Sequence, residues 1–216
     1  METAELANLI KSRRSVRAWQ NQPVPEETLV QAIELATWAP NGGNRQPWFF
    51  YAVVNKGTIS AVADAVQSTA RYVATWPEAA PLGEMVNTMA QRAGGFRSAP
   101  ALIGVAVKKY QSPMDQVFAA REKTDPRAAQ MRQGERAVSS RIQTVSSAIA
   151  YLLLVLHQMG LGATWMTGPL QAKTEIEQVL GVPADMDLVA IIPVGYPAET
   201  PTRDRKPVSE VCKVIR

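Results

Sequence analysis

The 216-residue chain has a single cysteine, Cys212, and a single histidine, His157. One cysteine closes no internal disulfide, which favours a reducing compartment. The two counts also exclude zinc sites built from His and Cys, and leave little from which to build a Ser-His-Asp triad. His157 falls in an apolar helical pattern with Leu153, Leu154 and Leu156, where it reads as a packing or surface residue. Long apolar runs are also scarce. The longest, residues 148–156, is nine residues, against the roughly twenty needed to cross a bilayer. The opening METAELANLI has neither the basic start nor the apolar centre of a secretory signal, so a cytoplasmic protein with no membrane partner is expected. No GxGxxG follows a strand pattern and no GxxxxGK occurs, which removes the dinucleotide fingerprint and the P-loop. The aromatic-basic interleaving of single-strand binders is missing too, so no nucleic-acid partner is expected. What these absences leave is chemistry supplied by a bound cofactor or by carboxylates.

The composition is that of a soluble globular protein, 46% hydrophobic and 19% charged, of a length that fits one domain over residues 1–216. The net charge of +4 suits an anionic cofactor such as a phosphate ester as well as nucleic acid. Thr3 can cap a first helix that bears Leu6, Leu9 and Ile10 on one face. A second helix starts at Pro25, with Glu26 and Glu27 at its positive end, and is stopped by Pro40. Residues 48–54 and 101–107 read as strands, the latter apolar on both faces and therefore buried. Residues 70–99 are interrupted by Pro77, Pro81, Gly94 and Gly95. The polar stretch 108–136 reads as a lid excursion with some helix. A long helix over 137–159 ends at Gly160, and short strands follow at 163–166 and 187–194. From about 197 to 216 the chain is an extended arm with Pro197, Pro201 and Pro207. Strands separated by helices predict three layers, a central mixed sheet flanked by helices.

Four short constellations offer chemistry. Arg13, Arg14, Ser15 and Arg17 put three guanidiniums and a hydroxyl within five residues, the donors a phosphate needs; a solvated basic helix end has the same composition. In Pro40-Asn41-Gly42-Gly43-Asn44-Arg45-Gln46-Pro47 two glycines let the backbone approach a planar ligand, and Asn44 and Gln46 add donors and acceptors. Equally, it can be an ordinary helix-to-strand loop. The segment 160–168 ends in a Thr167-Gly168 turn that can present backbone N–H groups to a ligand edge. Arg203 and Arg205 lie in a charged arm of a kind that is normally solvated.

In their order and spacing, RRSVRAW, APNGGNRQPW, GLGATWMTG and IIPVGYP with RDRKP resemble the nitroreductase family of flavoproteins over essentially the whole chain. The resemblance implies the family's three-layer α+β fold and a homodimer with a swapped C-terminal arm and two FMN sites at its interface. It implies that Arg13, Arg14 and Ser15 hold the phosphate and ribityl chain, with Arg203 and Arg205 on the same phosphate. Arg17 would lie near flavin N1/O2. Pro40, Asn41, Gly42, Asn44 and Gln46 would belong to a loop that covers the flavin from the partner subunit. The Thr167 and Gly168 backbone would face N5, with Met166 also contacting the cofactor, and several family members carry an acidic residue in place of Thr167. The implied activity is ping-pong transfer from NAD(P)H to a small-molecule acceptor such as a nitroaromatic, quinone or activated alkene.

Two other readings stand beside it. One is a specialised flavoenzyme of the same fold, a reductive dehalogenase or a flavin-cleaving enzyme, in which lid residues such as Asp115, Arg121 and Arg127 would meet a polar substrate. The other is a non-catalytic binder of phosphates or nucleic acid through the arginines, whose affinity would fall steeply with salt.

Overall fold

Residues 101–107 lack the alternation of a half-exposed strand because both faces are covered. In the computed structural model, which describes residues 2–216 and all their side chains but those of 134–138, β2 (Ala101–Lys108) is interior to a four-stranded sheet. The spatial order is β1 (Trp48–Val53), β2, β4 (Met186–Gly195), β3 (Gly162–Ala163). Ile103, Val105 and Val107 pack with Leu29, Ala32 and Ala36 of α2 (Glu26–Ala36) and with Val145, Ile149, Leu152 and Leu156 of α7 (Ser140–Gln158). Leu102, Leu188 and Ile191 point the other way, onto Ile59, Val62, Ala63 and Val66 of α3 (Lys56–Ala74) and Ile176 of α8 (Lys173–Leu180). The period-2 geometry of the strand thus divides one apolar run between two helical layers, and the three-layer α+β arrangement follows.

Every strand pair in the sheet is antiparallel. The parallel component of the expected mixed sheet is confined to one bridge, Ser15 with Ala163. Alternation of helices and strands along a sequence fixes layers, whereas strand direction depends on where each connection returns. Boundaries differ for local reasons. Helix α1 (Thr3–Ser12) is capped one residue earlier than expected, the Glu5 carboxylate accepting the Glu2 N–H at 2.9 Å. Helix α2 ends at Ala36, four residues before Pro40, and the Thr37 hydroxyl binds the freed Glu34 carbonyl at 2.7 Å. The interrupted stretch after α3 becomes a 3₁₀ segment Pro77–Leu82, helix α4 (Gly83–Arg92) and a 3₁₀ turn Gly95–Ser98. The strand expected at 163–166 shrinks to β3, after which a bridge from Met166 to Ile191 carries the edge onward.

The excursion 108–136 contains two helices, α5 (Pro113–Arg121) and α6 (Pro126–Val138), each with a capped start. Ser112 caps the first and Asp125 the second. Asp115 and Arg132 join them at 2.7 Å, and Arg121 pairs with Asp125 at 3.0 Å. Hydrogen bonds from Arg132 and Ser112 hold the Asp115 carboxyl below its usual range. Asp115 and Arg121, considered for a polar acceptor, are therefore engaged within the excursion itself, and Arg127 is exposed. The helix expected over 137–159 starts at Ser140, because Ser139 adopts a left-handed backbone with φ 35°. It ends as the sequence predicts, with Gly160 at φ 78° and Leu161 N–H bonded to Leu156 O at 2.9 Å. Among the described residues no helix is long and apolar enough to cross a membrane.

Gly195, at the end of β4, has no room for a side chain: a Cβ there would lie 2.6 Å from Pro100 and 2.9 Å from Trp19. Gly195→Ala is expected to destabilise the fold by about 1–3 kcal/mol, read as a lower urea midpoint. An unchanged midpoint would contradict this packing.

Candidate functional site

Where α1 ends, the chain turns extended and runs beside β3. Val16 N–H bonds to Ala163 O at 3.2 Å, the buried Thr164 hydroxyl donates to Val16 O, and Trp19 Nε1 donates to Gly162 O at 2.9 Å. The approach is close enough to require glycine at 162, since a Cβ there would lie 2.8 Å from Val16. Val16 is buried. Extended backbone alternates sides, so its neighbours Ser15 and Arg17 are directed away from the core.

The end of the chain returns to the same segment. Gln20 N–H bonds to Tyr196 O and Ala198 N–H to Ala18 O, both at 2.9 Å. The Glu199 carboxylate accepts the backbone N–H groups of Arg17 at 2.5 Å and Ala18 at 3.1 Å. This pairing brings Arg205 within electrostatic reach of Arg13, whose pKa is lowered by burial, then by Arg205, then by Arg14. Arg14 Nη1 donates to Arg13 O at 2.9 Å and also to Lys11 O, while its Nε is buried with no hydrogen-bond partner among the described residues. Arg13 and Arg14 therefore share one cationic cradle with Arg205 from the far end of the chain, and Arg14 Nε is an unsatisfied buried donor. Arg203 lies on the exposed arm two residues from Arg205.

Next along this segment is an apolar cavity of about 710 Å³. Arg17, Met166 and Gly168 line it together with Trp19, Phe96, Met85 and Met89. Thr167 is exposed beside it, and its carbonyl accepts Leu170 N–H at 3.0 Å, which fixes the turn into the 3₁₀ segment Gly168–Ala172. No Asp, Glu or Lys appears among the described lining residues; the cavity's charges are Arg17 and Arg92.

The loop 40–46 is placed elsewhere on the chain. Asn41 Oδ1 accepts Gln46 N–H at 3.0 Å, Gln46 Nε2 donates to Asn44 Oδ1 at 3.1 Å, and Pro40 O accepts the Ser147 hydroxyl at 2.9 Å. Asn44 and Gln46 both take positive φ, 50° and 46°, in a tight turn in which Gly42 is exposed. Arg45 stacks over Tyr110 at 4.8 Å, and the two line a separate cavity with Gln46, Ser112 and Pro113 at the foot of the lid. The structure thus brings Arg13, Arg14 and Arg205 together and sets Arg17, Met166 and Gly168 around one cavity, with Ser15 and Thr167 next to them in the chain; the loop of Pro40, Asn41, Gly42, Asn44 and Gln46 lies apart, Gln46 lining the second cavity.

Sequence reasoning missed Glu199, which has no motif of its own and acts only because the arm folds back. It also missed Met85 and Met89, whose i,i+4 spacing on α4 is ordinary helical patterning.

The described residues thus combine an α+β fold, a cluster of arginines at 13, 14 and 205, and an apolar cavity lined by Arg17, Met166 and Gly168. The chain belongs to the nitroreductase family, whose sequence model matches residues 10–196. It is 30% identical to the iodotyrosine deiodinase of Thermotoga neapolitana over 195 residues, 89% of this chain and 88% of that one. It is 28% identical to an NADH dehydrogenase of Thermus thermophilus over 196 residues, covering 87% and 84% of the two chains. The crystal structure of a BluB-like flavoprotein from Clostridium difficile 630 matches with a TM-score of 0.83 at 25% identity, with full coverage of both chains.

Removing the Glu199 carboxylate should free the arm. Glu199→Ala is expected to speed tryptic cleavage at Arg203 and Arg205 several-fold while the melting temperature moves little. Equal cleavage rates would mean that the carboxylate does not anchor the arm.

Proposed function

We propose that the protein is an FMN-dependent NAD(P)H oxidoreductase acting on nitroaromatics, quinones or activated alkenes. The observation that carries this reading is the convergence of Arg13, Arg14 and Arg205 on the chain segment whose Arg17 lines the apolar cavity. Mutually repelling guanidiniums with an unsatisfied buried donor suit a phosphate dianion, which would relieve the repulsion and fill the donor. The apolar cavity suits a fused planar ring. Membership of the nitroreductase family and likeness to a BluB-like flavoprotein support the same cofactor.

In this reading Arg13, Arg14 and Ser15 bind the phosphate and ribityl chain, and Arg205 and Arg203 complete the phosphate shell. Bound FMN supplies a two-electron carrier between the nicotinamide and the acceptor. Arg17 holds a fixed positive charge at the N1/O2 edge, where negative charge gathers on reduction. The exposed Thr167-Gly168 turn offers a backbone N–H to N5, and Met166 packs beside it. The apolar lining excludes water and so strengthens the Arg17 interaction. Leu82, Met85 and Met89 give the acceptor an adaptable wall.

The proposed assembly is a homodimer in which Pro40, Asn41, Gly42, Asn44 and Gln46 reach the flavin of the partner subunit and the arm crosses to it. Its support is the apolar surface left uncovered: Trp38 is 80% exposed, and Val208, Val211, Val214 and Ile215 on the arm are all exposed. A cytoplasmic location agrees with the free, exposed thiol of Cys212.

A second reading, reductive dehalogenation, is favoured by the 30% identity to an iodotyrosine deiodinase. Comparing kcat/KM for nitrofurazone, menadione and 3-iodotyrosine separates the two.

The purified protein is expected to be yellow, with a flavin spectrum bleached by NADH or NADPH under anaerobic conditions. FMN at about a hundred times its Kd should stabilise the protein by about 2.7 kcal/mol. Colourless protein whose melting temperature ignores FMN would sink the reading. Arg205→Ala should weaken FMN at least about ten-fold and leave the flavin potential in place. Arg17→Ala should lower the potential more than it weakens retention, and an unmoved potential would remove the role given to Arg17.

A further inference from the structure

His157 lies in the last turn of α7, and its Nε2 is 2.8 Å from the hydroxyl of Ser12, the final residue of α1. The next two residues are Arg13 and Arg14, so the imidazole adjoins the cationic cradle. We propose that His157 is a positioning residue of that cradle, one that takes up a proton when a phosphate-class anion binds Arg13, Arg14 and Arg205. This rests on reading the cradle as the phosphate site.

In the anion-free protein the imidazole is held below its ordinary value, first by burial and then by Arg13 and Arg14. The burial effect persists in a complex, but a dianion between the arginines offsets their repulsion. An imidazolium at this end of α7 is also favoured by the helix dipole. Ser12 accommodates both states: its hydroxyl lies 3.2 Å from Leu9 O, so it can donate there while accepting from a protonated Nε2. The rest of α7 carries one charged residue, Arg141, at the opposite end. The charged groups on the helices packed against α7 are Glu5 and Lys11 on α1 and Glu26, Glu27 and Glu34 on α2; the charges that depress the imidazole are Arg13 and Arg14, and Arg205 acts on Arg13.

Linkage fixes the sign. If anion binding raises the imidazole pKa, protonation must tighten the anion by the same factor. Affinity therefore rises as pH falls from the bound-state pKa to the free-state pKa, and is level on either side. FMN itself complicates this, because its phosphate loses a proton near pH 6. Sulfate keeps its charge across the window and is the cleaner probe.

With one histidine in the chain, a single imidazole C2 proton reports the titration by NMR in the unmodified protein. Saturating sulfate or FMN is expected to raise its midpoint by at least about half a pH unit, equivalent to sulfate binding about three-fold tighter at pH 5 than at pH 8. Riboflavin, which lacks the phosphate, should leave the midpoint in place. His157→Gln should make sulfate affinity level across this range. A midpoint unmoved by FMN that is bound, as judged by flavin fluorescence quenching, overturns the inference and leaves the cradle standing; so does an equal rise with riboflavin. Failure of FMN to bind at all overturns both this inference and the function proposed above.

Discussion

The structure depends on one backbone pairing. Residues 15–20 lie as an extended segment between β3 on one side and the returning arm on the other, through Val16 with Ala163 and through Gln20 and Ala18 with residues 196 and 198. Main-chain hydrogen bonds hold this segment regardless of what its side chains carry, so arginines can be placed where their charges would otherwise drive them apart. Val16 and Trp19 anchor it in the core, and the lack of a side chain at Gly162 and Gly195 lets those anchors approach.

Such a placement costs stability. Arg13 is partly withdrawn from water beside two like charges, and the Arg14 Nε is buried without a partner. Neither condition favours folding by itself. Glu199 offsets some of this cost by joining the arm to the amides of Arg17 and Ala18.

The two ends of the site differ in character. Around the cradle, groups are few, charged and fixed by backbone. The cavity wall at the start of α4 is Met85 and Met89 with Leu82 of the 3₁₀ segment before it, all exposed and adaptable, while the excursion 108–136 is a pair of capped helices joined by Asp115 with Arg132.

Much of the architecture was legible in the residues alone. The apolar run at 101–107, the caps and breakers at Pro25 and Gly160, and the cluster at 13–17 are local chemistry, and local chemistry is written in order along the chain. The layers followed because an apolar strand must be covered on both faces. Strand direction, the break at Ser139 and the reach of Glu199 to residues 17 and 18 were not legible, since each depends on where a connection returns in space. The same holds for the meeting of Arg13 with Arg205 and for the nearness of His157 to Ser12 and the arginines that follow it. Sequence supplied the charges and the elements that carry them; only tertiary packing decided which charges share a site, because electrostatic energy depends on distance through space and not on separation along the chain.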